Sequence, residues 1–179
     1  YLQTLLERAP VDLRVRDEAK ALPALELELT QRGYSFIRQA SFGAPLGIRI
    51  TSGSPHLLEF DTFRKGSFEA QDLAPQIIAG ISCHQDQESA LDYCGGAAGK
   101  ALTWAALTSG KNRLVCQDPD PAHREEATKR SKKAGAHLQI VKPGELNPED
   151  GLFHRVLFDA PCSRLGTLRR WPEGRLMDD

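Results

Sequence analysis

The chain has 179 residues, of which 40% are hydrophobic and 26% are charged, and its formal net charge is −1. This composition is typical of a globular protein and excludes disordered and collagen-like chains. No apolar run approaches the roughly 20 residues that a membrane-spanning helix needs, so the sequence predicts no membrane partner.

The cysteines indicate the compartment. Cys83, Cys94, Cys116 and Cys162 are widely spaced and include no Cys-x-x-Cys pair. Such spacing is typical of neither a disulfide framework nor a zinc site. We therefore expect free thiols, a cytoplasmic protein and no metal ion.

Residues 1–66 predict a small α+β module. Apolar and polar residues alternate over residues 11–15, which indicates a half-buried strand. A helical spacing of apolar residues follows over residues 19–32, and Gly33 ends it. The buried face of this helix is predicted to consist of Leu22, Leu25 and Leu29. Further short strands are predicted at residues 34–37, 46–50 and 57–60.

The pattern changes over residues 67–179. Strand patterns alternate there with helical patterns, which favours a mainly parallel sheet covered by helices. The predicted strands are residues 90–94, 113–117, 137–141 and 154–158. The predicted helices are residues 71–81, 100–109 and 120–133. The sequence thus predicts an α/β domain that begins at about residue 67.

A glycine-rich loop, residues 95–99, joins the first of these strands to the next helix. Backbone N–H groups at such a turn can approach a ligand at the positive end of the helix dipole. Cys94 and Ala101 occupy the places where a phosphate-binding P-loop needs Gly and Ser or Thr. Ala97 and Lys100 occupy glycine positions of the dinucleotide fingerprint. Both of these cofactor classes are therefore excluded.

The next predicted strand leads directly into Asp118. A carboxylate at this place can accept hydrogen bonds from two ribose hydroxyls, so the loop and Asp118 fit an S-adenosylmethionine site. The alternative is structural, with glycines that close a tight turn and an Asp118 that begins a loop with Pro119. The residues by themselves leave both interpretations open.

A second candidate site follows the last predicted strand, where Asp159 and Cys162 flank Pro161. Open α/β sheets bind their ligands at the carboxyl ends of the strands. A thiolate can add to an electron-poor pyrimidine ring, and a neighbouring acid can support the ring nitrogen. The alternative is a small buried thiol at position 162 and a loop cap at Asp159.

Four short motifs stand in a defined order along the chain. They are residues 8–15, which read Arg-Ala-Pro-Val-Asp-Leu-Arg-Val; Lys-Gly at 65–66 with Gln-Asp at 71–72; residues 91–100; and Asp-Ala-Pro-Cys-Ser at 159–163. Together they resemble the Nop/Sun (Fmu) family of RNA cytosine-5 methyltransferases, above all its bacterial ribosomal RNA members. The resemblance implies a Rossmann-type methyltransferase domain, incomplete over residues 67–179, after an RRM-like α+β module over residues 1–66. It also implies S-adenosylmethionine as the cofactor and RNA, in particular ribosomal RNA, as the partner.

The same resemblance assigns roles to individual residues. The implied cofactor loop consists of Cys94, Gly95, Gly96, Ala97, Ala98, Gly99 and Lys100. Asp118 is implied as the ribose carboxylate, and Asp159 as a catalytic carboxylate that also belongs to the cofactor-binding set. Cys162 is implied to assist release of the methylated product. The nucleophile is implied to lie in a Thr-Cys motif after Asp179, and the alternative is Cys162 itself, as in DNA cytosine methyltransferases.

The cofactor loop departs from the family pattern. Ala98 and Ala101 stand where the family commonly has Gly and Thr, and Glu145 is a shifted candidate for the carboxylate near the adenine. A methyl group at position 98 would crowd the cofactor and would be strained at a positive φ. These departures favour a second hypothesis, a non-catalytic RNA-binding homologue with a degraded cofactor site.

Two basic clusters are candidates for RNA contact. The first is on the helix over 120–133 and is predicted to be a solvated face; it consists of Lys129, Arg130, Lys132 and Lys133. The second follows Asp159 directly, and its arginines surround a tryptophan that can stack on a base. The predicted RNA-contacting residues are Arg164, Arg169, Arg170, Trp171 and Arg175.

Overall fold

The computed structural model describes residues 8–16, 19–39, 47–83, 88–108, 112–146, 151–162 and 170 of the chain. Within these residues, two four-stranded sheets form the framework. The strands are β1 (Val11–Val15), β2 (Phe36–Gln39), β3 (Gly47–Ile50), β4 (Phe68–Ala70), β5 (Ala90–Tyr93), β6 (Leu114–Gln117), β7 (Leu138–Val141) and β8 (Arg155–Phe158). The helices are α1 (Ala21–Gln31), α2 (Asp61–Arg64), α3 (Leu73–Ile81), α4 (Gly99–Leu107) and α5 (Pro121–Ala134), and a 3-10 turn spans Leu57–Glu59.

The first sheet is antiparallel, with the strand order β2-β3-β1-β4. Leu13 and Val15 on β1 are buried in one core with the inward face of α1. That face consists of Ala21, Leu22, Leu25 and Leu29. The leucine spacing therefore predicted the buried side of this helix correctly, because residues three and four apart share one helical face.

The strand predicted at residues 57–60 is wrong. This segment forms the 3-10 turn, and α2 follows it directly. The Glu28 carboxylate on α1 accepts hydrogen bonds from the backbone N–H groups of Asp61 (2.8 Å) and Thr62 (3.0 Å) and thereby caps α2. Since the cap comes from a residue far away in sequence, local propensity could not reveal it.

Strand β4 lies after residue 66 in sequence and pairs with β1 in the first sheet. The register places Arg14 opposite Glu69 and Val15 opposite Phe68. The small sheet therefore extends past the predicted start of the α/β domain, and β4 brings the chain from one sheet to the other.

The second sheet is parallel, with the strand order β7-β6-β5-β8, as the α/β alternation predicted. One face carries Ala90, Leu114 and Cys116, which are buried with residues of α3, α4 and α5. The Trp104 indole on α4 donates a 3.0 Å hydrogen bond to the carbonyl oxygen of Ala79 on α3. The helices thus cover this face of the sheet as one layer.

No helix in the described ranges is both long and apolar enough to span a membrane.

Candidate functional site

The predicted cofactor and catalytic residues lie at one edge of the parallel sheet. The glycine-rich loop follows β5, the central strand, and its neighbours β6 and β8 lead into Asp118 and Asp159. Because the three strands are parallel, their carboxyl ends lie side by side. This is the edge at which open α/β sheets bind ligands.

The loop makes a sharp turn before α4. Two of its residues, Ala98 (φ of 62°) and Gly96 (φ of 56°), have left-handed backbone conformations. So does Cys94, the residue directly before it (φ of 62°). The loop is tied down by a 3.0 Å hydrogen bond from the Gly95 N–H to the Gln117 carbonyl and a 2.9 Å bond from the Ala98 N–H to the Gly95 carbonyl. Helix α4 begins immediately afterwards, so its N-terminus is part of the site.

The Ala98 methyl group is fully buried in a core cluster with Ala101, Leu102, Cys116 and Ala127. The positive φ expected at this position is observed. The side chain is 0% exposed, so its methyl group points into the core and not into the solvent-accessible space beside the loop. The departure at Ala98 is therefore a matter of backbone strain, which costs a non-glycine residue about 1–2 kcal/mol.

Asp118 is buried and oriented by hydrogen bonds. Its Oδ2 atom accepts from the Gly96 N–H (2.8 Å), and its Oδ1 atom accepts from the Asp120 N–H (2.9 Å) and lies 3.1 Å from His123 Nδ1. Burial by itself would raise the pKa of Asp118, but these bonds outweigh it and lower the pKa. The carboxylate therefore stays ionised, and Oδ2 has room for a further hydrogen bond.

Lys100 joins the loop to the other end of the site. Its Nζ atom lies 2.5 Å from Asp159 Oδ2, so the first turn of α4 forms an ion pair with the segment after β8. The Lys100 side chain is largely buried, whereas that of Asp159 is 60% exposed. Asp159 thus faces solvent beside the cofactor loop, where it can contact a ligand.

Asp92, two residues before Cys94, is buried next to the loop. Its Oδ2 atom accepts a 3.1 Å hydrogen bond from the Ala101 N–H, and its buried Oδ1 atom has no hydrogen-bond partner among the residues that the structure describes. Burial raises the pKa of Asp92 to about 6, although the positive charge of Lys100 opposes the shift. A buried carboxyl oxygen without a partner leaves an acceptor at the site.

The four thiols differ in environment. Cys162 is exposed, Cys83 and Cys94 are half-buried, and Cys116 is fully buried; none of these four described residues forms a disulfide. Burial and the nearby Asp92 charge raise the pKa of Cys116 to about 12. Cys116 is therefore a neutral packing residue, whereas Cys162 lies three residues after Asp159 and is accessible.

Most of the predicted RNA-contacting cluster lies outside the described residues: Arg164, Arg169, Trp171 and Arg175. Arg170 is described, and its guanidinium donates to the Asp72 carboxylate and to the Pro10 carbonyl (2.8 Å). Glu145, the candidate near the adenine, accepts a 2.9 Å hydrogen bond from the Lys142 N–H in its own turn. Both side chains are thus engaged within the protein.

The predicted solvated face of α5 is wrong for two of its four residues, Arg130 and Lys133; Lys133 is half-buried, with its ammonium group over the Phe63 ring. Lys129 is exposed and pairs with Glu125 on the same helix. Arg130 instead forms an ion pair with Glu69 of β4 and bonds the Ala97 carbonyl. The available signal was its spacing: Arg130 lies three residues after Ala127 and four before Ala134, on the apolar side of the helix.

The part of the chain that matches a known family contains this site. Residues 81–179, which include the loop, Asp118 and Asp159, match the model of the family described as 16S rRNA methyltransferase RsmB/F. The chain belongs to this family. The probable ribosomal RNA small subunit methyltransferase B of Synechocystis sp. is 28% identical over 141 residues, which are 76% of this chain and 32% of the relative. The chain thus spans about a third of the length of this curated member of the RsmB/F family.

Solved structures have the same fold. The crystal structure of PH0851 matches 98% of this chain and 40% of that chain, with a TM-score of 0.87 and 22% identity. The structure of NSun6 from Pyrococcus horikoshii with SFG matches 90% of this chain and 66% of that chain, with a TM-score of 0.76 and 15% identity. The predicted Rossmann-type methyltransferase fold of this RsmB/F family member is confirmed.

Proposed function

We propose that this chain carries the cofactor site and part of the active site of an S-adenosylmethionine-dependent enzyme that methylates carbon-5 of cytosine in ribosomal RNA. The observation that carries the proposal is the ion pair between Lys100 and Asp159. This ion pair holds the carboxylate of the Asp-Ala-Pro-Cys segment next to the end of the glycine-rich loop. A methyl donor bound at the loop would therefore lie beside a nucleobase bound at Asp159. Membership in the RsmB/F family supports the same reaction class and an RNA substrate.

The residues present fit S-adenosylmethionine. The loop from Cys94 to Lys100 would surround it, and a Cβ on Gly96 would find no atom within 4 Å, so this part of the backbone is open to a ligand. The ionised Asp118 beside Gly96 would accept hydrogen bonds from the ribose hydroxyls. When bound, S-adenosylmethionine supplies an electrophilic methyl group. The SFG-bound structure of Pyrococcus horikoshii NSun6, which has this fold, is in agreement with such a site.

One carboxyl oxygen of Asp159 would accept a hydrogen bond from the cytosine amino group, and the other, when protonated, would donate one to the ring nitrogen. A cysteine thiolate forms a bond to carbon-6, and the ring electrons then make carbon-5 nucleophilic. Carbon-5 gains the methyl group as the bond between that group and the sulfonium sulfur breaks, which leaves S-adenosylhomocysteine. Carbon-5 then loses its proton to a base, and elimination breaks the bond between the cysteine sulfur and carbon-6. The family resemblance assigns the attacking thiolate to a Thr-Cys motif and the release step to Cys162, which is accessible in the structure.

The test measures release of tritium from ribosomal RNA that carries tritium at carbon-5 of cytosine, with S-adenosylmethionine and a protein that contains both this chain and the Thr-Cys motif. We expect one tritium released per methyl group incorporated, and Asp159→Asn to lower the rate at least about 100-fold. Asp61→Asn is the matched control, because Asp61 is exposed and pairs only locally with Arg64. Methyl incorporation without tritium release contradicts chemistry at carbon-5.

The second hypothesis, a non-catalytic RNA-binding homologue, keeps no support from Ala98, whose methyl group is buried in the core. A calorimetric titration separates the two. We expect S-adenosylhomocysteine to bind, and Asp118→Asn to weaken its binding because a ribose acceptor is lost. A folded protein that binds RNA but no S-adenosylhomocysteine supports the second hypothesis.

A further inference from the structure

Arg130 on α5 contacts both the small sheet and the cofactor loop. Its Nε atom donates a 2.9 Å hydrogen bond to Glu69 Oε2 on β4, and a second guanidinium nitrogen lies 2.8 Å from the same oxygen. The remaining nitrogen donates a 2.8 Å hydrogen bond to the carbonyl oxygen of Ala97. A planar guanidinium can hold two acceptors in fixed directions, whereas an ammonium group cannot.

The Glu69 carboxylate on the small sheet is held in place. Glu69 is buried and lies opposite Arg14 in the pairing of β4 with β1. Burial lowers the pKa of Arg14 to about 10, and the attraction of Glu69 opposes this shift. The Glu69 carboxylate thus lies near two guanidinium groups, Arg14 and Arg130, and cannot turn away without leaving buried charges uncompensated.

The contact with the loop acts on a single peptide group. The carbonyl of Ala97 and the N–H of Ala98 belong to the same planar unit. Arg130 holds the carbonyl end, and the Gly95 carbonyl accepts the 2.9 Å hydrogen bond from the N–H end. This peptide lies between Gly96 and Ala98, the two left-handed residues nearest α4. Its orientation therefore determines how the loop backbone faces a ligand.

We propose that Arg130 is a positioning residue that couples the small sheet to the cofactor loop. Through Arg130, the position of β4 sets the orientation of the Ala97–Ala98 peptide and hence the affinity for the cofactor. This inference rests on the proposed cofactor site and adds a residue of α5 and a residue of β4 to it.

Arg16 provides the matched control. Its guanidinium donates a 2.7 Å hydrogen bond to the Ala134 carbonyl at the end of α5, so it also joins the small sheet to α5. Arg16 has no contact with the loop among those described. Arg16→Met therefore weakens the docking of the two sheets without touching the Ala97 carbonyl.

The first measurement is hydrogen exchange at the Ala98 amide, without ligand. We expect Arg130→Met to speed this exchange at least about fivefold and Arg16→Met to leave it unchanged. Arg130→Lys, which keeps the charge and is the milder change, should give an intermediate rate because an ammonium group cannot reproduce both contacts. Unchanged exchange in a folded Arg130→Met protein overturns the proposal.

The second measurement is the dissociation constant of S-adenosylhomocysteine by calorimetry, with the unfolding temperature of each variant recorded. We expect a rise of at least about tenfold for Arg130→Met, a smaller rise for Glu69→Gln, and less than a twofold change for Arg16→Met. Equal losses of affinity in Arg16→Met and Arg130→Met would mean that Arg130 only helps to hold the two sheets together. That result would overturn the proposed coupling. A folded wild-type protein that binds no S-adenosylhomocysteine overturns the proposed function and this inference together, whereas a wild type that binds as tightly as Arg130→Met overturns the inference alone.

Discussion

Cys116 lies directly behind Gly95: a Cβ atom at position 95 would be 2.5 Å from the Cys116 Sγ atom. The same Cβ would be 2.9 Å from the carboxyl carbon of Asp92. Two strands, β5 and β6, thus support the loop at the one residue where only a hydrogen atom fits. This contact, rather than the backbone conformation, requires glycine at position 95, since its φ is not among the positive values.

Gly95→Ala should distort the cofactor loop. Overpacking of a tight site costs about 1–3 kcal/mol, and we expect this loss in the free energy of unfolding together with at least a tenfold weaker binding of S-adenosylhomocysteine. Gly33→Ala, at the end of α1 and outside the loop, is the control, because a Cβ there meets no atom within 4 Å and only the positive φ is unfavourable, at about 1–2 kcal/mol. Urea unfolding and calorimetry check both variants. Cofactor affinity retained in Gly95→Ala would contradict the steric argument.

Ala98→Gly should change stability little. It relieves about 1–2 kcal/mol of left-handed strain but loses about 0.8 kcal/mol of methyl burial and adds backbone entropy to the unfolded chain. Ala101→Gly, in the same core cluster, loses the methyl group and about 1 kcal/mol of helix propensity with no strain to relieve. We expect urea unfolding to give Ala98→Gly a free energy of unfolding at least about 1 kcal/mol higher than that of Ala101→Gly. The reverse order would mean that the backbone at position 98 is unstrained.

Asp92 should make stability depend on pH between about 4 and 6. Burial raises its pKa to about 6 in the folded protein, above the ordinary 3.8, so the folded state binds this proton more tightly than the unfolded state. The contribution of Asp92 to stability is therefore greatest below about pH 4 and is lost as the pH rises through 6, by up to about 3 kcal/mol.

Asp92→Asn removes this titration. We expect the stability of the wild type relative to Asp92→Asn to rise as the pH falls from 7 to 4, in urea unfolding at several pH values. The comparison with the variant cancels groups such as Asp118, whose pKa is lowered and which act in the opposite direction. A constant difference between the two proteins would show that folding does not raise the pKa of Asp92.

Glu28→Ala should destabilise the small sheet by about 2 kcal/mol, because two backbone N–H groups at the start of α2 and the Thr62 hydroxyl lose a charged acceptor. Glu26→Ala is the control: Glu26 lies on the same helix but pairs with Arg38, whose side chain is 59% exposed. Exposed pairs contribute about 0–1 kcal/mol. Thermal unfolding distinguishes the variants, and equal losses would contradict a capping role for Glu28.

Short-range patterns were sufficient for much of the second sheet and its site. Each strand from β5 to β8 is an apolar run near its predicted position, and α5 begins after Asp120, whose carboxylate accepts a 2.8 Å hydrogen bond from the Ala122 N–H. The loop and Asp159 could be placed at the carboxyl ends of strands because parallel strands align those ends. The 57–60 segment failed because the helix that begins directly after it is capped at Asp61 and Thr62 by the side chain of Glu28, which lies on another helix.

The sequence alone determined the periodicity of the helices and strands, the glycine loop and the order of the motifs, because these depend on neighbouring residues. Only the tertiary structure decided which distant groups meet: Lys100 with Asp159, 59 residues apart, and Arg130 with Glu69, 61 residues apart. It also decided that the Ala98 methyl group faces the core rather than solvent. The first contact depends on the pairing of β8 with β5 and the second on how the two sheets pack together, and no local spacing of residues encodes that geometry.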